Sequence, residues 1–269
     1  MSSAQRAEEI VEPEAQSFYC HTLRVLQEAN IPFLVGGAFA FGHYTGIIRH
    51  TKDFDVFVRR ADVQPARAAL AGAGYQSDLT FPHWLGKAYS GEFFVDLIFG
   101  SGNGVAPVDD AWFDHAESCE MLGVPVMLCP AEEIIWSKAF VQERERYDGA
   151  DVAHLLRARA ERLDWRRLLD RFGENWRVLL AHLVLFGFVY PAERDRVPAW
   201  AIDELAERLR EETHAAPAAD QRCRGTLISR QQYLKDVQEW GYRDARLQPS
   251  GGMTSQEIAH WTAAIDSSE

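Results

Sequence analysis

The chain has 269 residues, of which 47% are apolar and 25% charged, enough for one large core or two modest ones in an ordinary folded protein. With 28 basic against 40 acidic residues its formal charge is −12, which repels phosphate backbones at long range and disfavours a non-specific nucleic-acid binder working by counterion release. Cys20, Cys119, Cys129 and Cys223 lack Cys-x-x-Cys spacing and the first residues do not have the pattern of a cleaved signal, so the expectation is a cytoplasmic protein with reduced thiols.

In chain order, residues 14–30 carry apolar positions at helical spacing (Phe18, Leu23, Val25, Leu26), and a helix is expected there. Ile31 to Val35 is a short apolar run closing on Gly36-Gly37, and residues 38–44 suit a helix before Gly46. The next strand is expected at residues 53–58, a helix at 65–73, and a third strand at 92–99, bounded by Gly91 and Gly100. Beyond Pro130 only helices are read: 132–146, where Glu132 and Glu133 suit a first turn, then 151–162, 165–171, 176–190, 202–212 and a last one near 231–240. The most apolar run, Val178 to Tyr190, holds 13 residues where a membrane span needs about 20, and is expected to be a buried core helix. The fold class is therefore α+β, with a mixed sheet flanked by helices over residues 1–130 and a mostly helical region over 131–269.

Within Thr51-Lys-Asp-Phe-Asp-Val-Phe-Val58, strand alternation puts Asp53 and Asp55 on one face, about 6.6 Å apart along the backbone. Two carboxylates there repel one another, and Mg²⁺, which favours carboxylate oxygens, relieves that repulsion. Asp96 interrupts the otherwise apolar Phe93-Phe-Val-Asp-Leu-Ile-Phe99, where a carboxylate is costly to bury unless it is paired, protonated or bound to metal. Gly36-Gly37, between a strand and a helix, lets backbone amides approach a polyphosphate closely. The histidines lack metal-ligand spacing, so a zinc site is not expected. Trp84 and Tyr89 are candidate lining for a base or acceptor pocket.

Val35-Gly-Gly-Ala38, then Arg49-His-Thr-Lys-Asp-Phe-Asp-Val56, then Val95-Asp-Leu-Ile98 resembles, in that order, the DNA polymerase β-like nucleotidyltransferase superfamily, and within it the small bacterial nucleotidyltransferases, which include antibiotic-modifying and toxin–antitoxin enzymes. The matching motifs cover roughly residues 31–100. The resemblance implies that 1–130 is a catalytic domain in which Gly36 and Gly37 hold a nucleoside triphosphate such as ATP. It also implies that Asp53 and Asp55 bind two Mg²⁺ ions and that Asp96 completes the acceptor-side metal site. Two departures stand out: the second glycine is often a serine in the superfamily, and the 15 residues between Gly37 and Asp53 make a slightly long insert.

Arg49 and Lys52 are placed either to neutralise phosphate charge or to pair with Asp53. Trp136-Ser-Lys-Ala-Phe140 and Arg146-Tyr-Asp-Gly-Ala-Asp151 resemble the later region of the superfamily, which implies that Lys138 reaches the nucleotide phosphates; Asp151 reads equally as a helix N-cap. The implied reaction is transfer of a nucleoside monophosphate to a hydroxyl acceptor with release of pyrophosphate. The other reading is a catalytically inactive nucleotidyltransferase-like binding or antitoxin module. An acidic protein suits a cationic small-molecule acceptor; a protein hydroxyl is compatible, and an RNA end least so.

Overall fold

The structure is a computed structural model that describes residues 11–51, 53–217, 219–249 and 251–264. It divides into two compact units, one made of the described residues up to Pro130 together with those from Met253 on, the other Ala131–Gly252.

In the first unit a seven-stranded mixed sheet has the order β3-β4-β5-β2-β1-β7-β6. Its strands are β1 (Leu34–Val35), β2 (Asp53–Phe57), β3 (Gln76–Phe81), β4 (Leu85–Ser90), β5 (Phe93–Ile98), β6 (Glu117–Met121) and β7 (Val124–Leu128). The β2–β5 and β1–β7 pairs are parallel and the others antiparallel. Phe54, Val56, Val95 and Leu97, fully buried on one face, follow from the alternation of β2 and β5. Helices α1 (Pro13–Glu28) and α3 (Val63–Gly72) cover that face, and Tyr19 of α1 stacks on Phe54 with ring centroids 5.0 Å apart. The opposite face carries Asp53, Asp55 and Asp96. Helix α2 (Gly37–Thr45) follows the glycine turn, and α4 (Asp110–Asp114) precedes β6.

The α+β expectation holds, with differences in detail. Two hairpins, β3–β4 and β6–β7, were not expected. The second turns through Leu122 (φ 52°) and Gly123 (φ 70°), the left-handed pair of a tight hairpin, but a leucine in the first position hides that signature. Of residues 31–35 only Leu34 and Val35 enter the sheet, and Glu92 lies in the turn before β5. Helix α11 (Ser255–Ala263), also unexpected, belongs to the first unit. It opens with a capping box between Thr254 and Glu257, and its Trp261 lies so close to Gly102 that a Cβ there would meet the indole at 2.6 Å.

The second unit is helical: α5 (Ala131–Ala139), α6 (Gly149–Arg159), α7 (Trp165–Phe172), α8 (Trp176–Val189), α9 (Ala199–His214) and the short α10 (Leu234–Gln238), with a two-stranded pair of β8 (Arg222–Cys223) and β9 (Arg243–Asp244). Glu133, fully buried on α5, takes Arg167 and Arg171 of α7, the pairing a buried carboxylate requires. Helix α5 stops at Ala139 instead of running to Arg146. A bridge between Gln142 and Tyr147 and a bond from the Gln142 amide to the Ile228 carbonyl (3.0 Å) draw the following residues out of the helix. The last expected helix, 231–240, is reduced to α10.

The apolar run 178–190 is not a buried core helix. Leu179, Leu183 and Phe186 of α8 point inward, but Val184, Leu185, Phe188 and Val189 are exposed, Phe188 by 82%. By length and composition alone the stretch Trp165–Val189 passes as a membrane span, an 18-residue window within it having a mean hydropathy of 1.2 and being 33% buried. A 3₁₀ turn at Gly173–Asn175 interrupts it, and α7 carries Arg166, Arg167, Asp170 and Arg171.

Candidate active site

The register of β2 and β5 sets Asp55 directly opposite Asp96 and Asp53 opposite Phe94, so all three carboxylates share one face. Ligand oxygens of Asp53, Asp55 and Asp96 lie within 4.8 Å of one another. Asp96 is only 9% exposed; burial pushes its carboxyl above the ordinary range, and Asp53 and Asp78 add to this while Lys87 pulls the other way. The Thr51 hydroxyl donates to Oδ1 of Asp53. Behind the carboxylates, burial and then the charges of Asp53 and Asp55 push the Tyr19 phenol up to about 12, so it stays a neutral hydroxyl.

The glycine turn is locked to this face. The Gly36 amide donates to the Asp55 carbonyl at 3.0 Å, and a Cβ on Gly36 would lie 2.3 Å from the Phe57 ring. Gly37 has φ +53°, and a Cβ there would lie 1.6 Å from Oδ2 of Asp55. A left-handed backbone in steric contact with a carboxylate favours glycine over any residue that carries a Cβ. The N-terminus of α2 thus begins against Asp55, where its amides favour negative charge.

Sequence reasoning missed Lys87. It sits on β4 directly opposite Asp96, its ammonium 2.7 Å from Asp96 Oδ1 and 3.8 Å from the Phe94 ring centroid. Nothing in a linear sequence marks it, because the contact depends on hairpin register. Tyr89 donates its hydroxyl to Asp78 at 2.7 Å, and the Trp84 ring stacks on Phe81 at 5.7 Å.

Arg49 lies over the Phe41 ring at 4.5 Å, and Lys52 lies outside the described residues. Lys138 belongs to the second unit, held by Asp148 (2.9 Å) and Asp151 (2.8 Å). Asp151 is buried in the first turn of α6, whose N-cap position is Asp148, so its carboxylate pairs with Lys138 and does not cap the helix.

No family model and no curated protein matches the chain. Solved structures similar to it include antibiotic-modifying proteins and a nucleotidyltransferase-like protein. The antibiotic-resistance factor ANT(2'')-Ia in solution is 13% identical with a TM-score of 0.42, the match covering 76% of this chain and 100% of that one. The lincomycin-bound lincosamide antibiotic adenylyltransferase LnuA is 13% identical with a TM-score of 0.38, covering 54% and 96%. An antigenic nucleotidyltransferase-like protein from Paracoccidioides brasiliensis is 14% identical with a TM-score of 0.43, covering 70% and 93%.

Proposed function

We propose that the protein is a metal-dependent nucleotidyltransferase that moves a nucleoside monophosphate from an NTP to a hydroxyl acceptor and releases pyrophosphate. The observation that carries this reading is the meeting of Asp53, Asp55 and Asp96 within 4.8 Å on one sheet face, beside a turn in which Gly37 abuts the Asp55 carboxylate and the Gly36 amide bonds its carbonyl. The donor set fits Mg²⁺, a hard cation that takes carboxylate oxygens, and three like charges so close together, one of them buried, favour a cation among them. When bound, the metal would supply Lewis acidity for the acceptor hydroxyl and charge neutralisation for the departing pyrophosphate.

The residues of the chain do the positioning, which is most of what nucleotidyl transfer asks of a protein. Asp53, Asp55 and Asp96 would hold the cation. The amides at the start of α2, brought close by Gly36 and Gly37, would meet the triphosphate. Arg49 and Lys52 are the candidate counter-charges for its phosphates, whereas Lys138, expected beside them, is already paired with Asp148 and Asp151. The acceptor, on this reading, is a small molecule or a protein hydroxyl.

One observation favours the alternative, a catalytically inactive nucleotidyltransferase-like binding or antitoxin module: Lys87 already occupies one oxygen of Asp96. Isothermal titration with each nucleotide and Mg²⁺, run beside a pyrophosphate-release assay over a broad acceptor panel, separates the two. Binding with release supports the enzyme, binding without release supports the module, and no binding contradicts both.

A further inference from the structure

Lys87 has two acids within reach. The register puts Asp78 of β3 on one side of it and Asp96 of β5 on the other, all three on one face of the sheet. The hydrogen bonds show which one it serves. Asp78 is held locally, its two oxygens taking the Thr80 hydroxyl at 2.6 Å and the Tyr89 hydroxyl at 2.7 Å. The Lys87 ammonium lies 2.7 Å from Oδ1 of Asp96, with the side chain 19% exposed, and 3.8 Å from the Phe94 ring centroid. An ion pair at the surface is loose and screened, whereas this one is withdrawn from water and steadied by the ring.

The effect of such a pair on Asp96 is geometric. A carboxylate has about four lone-pair positions on its two oxygens, so an ammonium on Oδ1 fixes the group without exhausting it. Groups that brace a metal ligand in this way keep it in the orientation that binding needs, and their loss typically costs about 10–100-fold in metal affinity. Asp96 stands opposite Asp55 in the strand register, and its ligand oxygen lies within 4.8 Å of those of Asp53 and Asp55. We propose that Lys87 is a positioning residue for the candidate site: from β4 it holds Asp96 by one oxygen, so that the carboxylate stays turned toward Asp53 and Asp55 and can take a divalent cation with them. This inference rests on the nucleotidyltransferase reading, and it gives the Lys87–Asp96 contact a supporting part in the site instead of a blocking one.

The sign of one measurement separates support from competition. Charge alone predicts that removing an ammonium beside a cation site tightens binding, whereas the loss of a braced ligand weakens it. The full chain is titrated with Mn²⁺ in the absence of nucleotide, unbound Mn²⁺ being read by electron paramagnetic resonance. Lys87→Met is expected to bind Mn²⁺ about tenfold or more weaker than the wild type, and Lys87→Arg, which keeps the charge and can still donate to Asp96, to lie nearer the wild type. Unchanged or tighter binding in a folded Lys87→Met overturns the inference and leaves the nucleotidyltransferase reading standing. A second measurement needs no variant: the nitrogen-15 resonance of the Lys87 ammonium, assigned through its side-chain carbons, is followed in the wild type as Mg²⁺ is added. The signal of the ion-paired ammonium is expected to persist at saturating Mg²⁺; its loss to exchange with water would mean that the cation displaces the lysine, and overturns the inference. A wild type that binds neither ion overturns both.

Discussion

Gly37 and Asp55 exclude each other's side-chain space: a Cβ on the glycine would lie 1.6 Å from the carboxylate Oδ2. The turn and the carboxylate are therefore one structural unit, formed because the Gly36 amide bonds the Asp55 carbonyl and Gly37 turns at φ +53°. Gly37→Ala must move Asp55 as well as bear about 1–2 kcal/mol of left-handed strain. It is expected to weaken nucleotide binding in the presence of Mg²⁺ by about tenfold or more, roughly 1.4 kcal/mol, as read by isothermal titration. Unchanged affinity would separate the turn from the site.

His182 makes stability depend on pH. It is buried on α8 with Nε2 2.9 Å from the Ala139 carbonyl, and burial holds its pKa below the ordinary 6.5. In that range the unfolded chain binds a proton that the folded chain refuses, so stability is complete above pH 6.5 and is lost as pH falls through the lower folded value. Denaturation midpoints compared between about pH 7.5 and 5.5 should fall less in His182→Gln than in the wild type. Equal slopes would contradict the assignment.

Lys138 neutralises two withdrawn acids, Asp148 and Asp151. Burial alone would raise the Asp148 pKa, but Lys138 and Arg146 outweigh it and hold the carboxyl low. Breaking a buried pair by removing one partner costs about 3–5 kcal/mol, and the residual exposure here puts Lys138→Met nearer about 2 kcal/mol. Chemical denaturation checks this; a loss below about 0.5 kcal/mol would mean the aspartates find other partners.

Helix α8 gives a contrast within a few residues. Phe188 is 82% exposed and Leu183 only 3%. Phe188→Ser should change stability by less than about 0.5 kcal/mol, whereas Leu183→Ala should cost about 2–5 kcal/mol. Thermal melts of the two variants decide it, and a large loss in Phe188→Ser would show that this face is covered.

How much of this was legible beforehand depended on whether the cause was local. Asp53 and Asp55 alternate with Phe54 and Val56, and Asp96 breaks an apolar strand, so the sequence placed all three carboxylates on strands. Their meeting is a matter of register, Asp55 opposite Asp96, which ordered motifs suggested and periodicity could not. Lys87 was invisible for the same reason, since it reaches Asp96 only through the β4–β5 pairing. The β3–β4 hairpin was missed because its outer strand, Gln76 to Phe81, is half exposed and polar. The early end of α5 was missed because Gln142 bonds to Ile228, far along the chain. Helix α8 was misread because its composition is apolar all round, and composition does not say which face is covered.

The most direct measurement is nucleotidyl transfer by Asp55→Asn, a change that keeps the size of the side chain and removes its charge. With labelled NTPs, Mg²⁺ and a panel of hydroxyl acceptors, the wild type is predicted to label an acceptor and release pyrophosphate. The variant, with an unchanged denaturation midpoint, is predicted to lose about a thousandfold in turnover, roughly 4 kcal/mol of transition-state stabilisation. Equal turnover in the variant and the wild type would contradict the account.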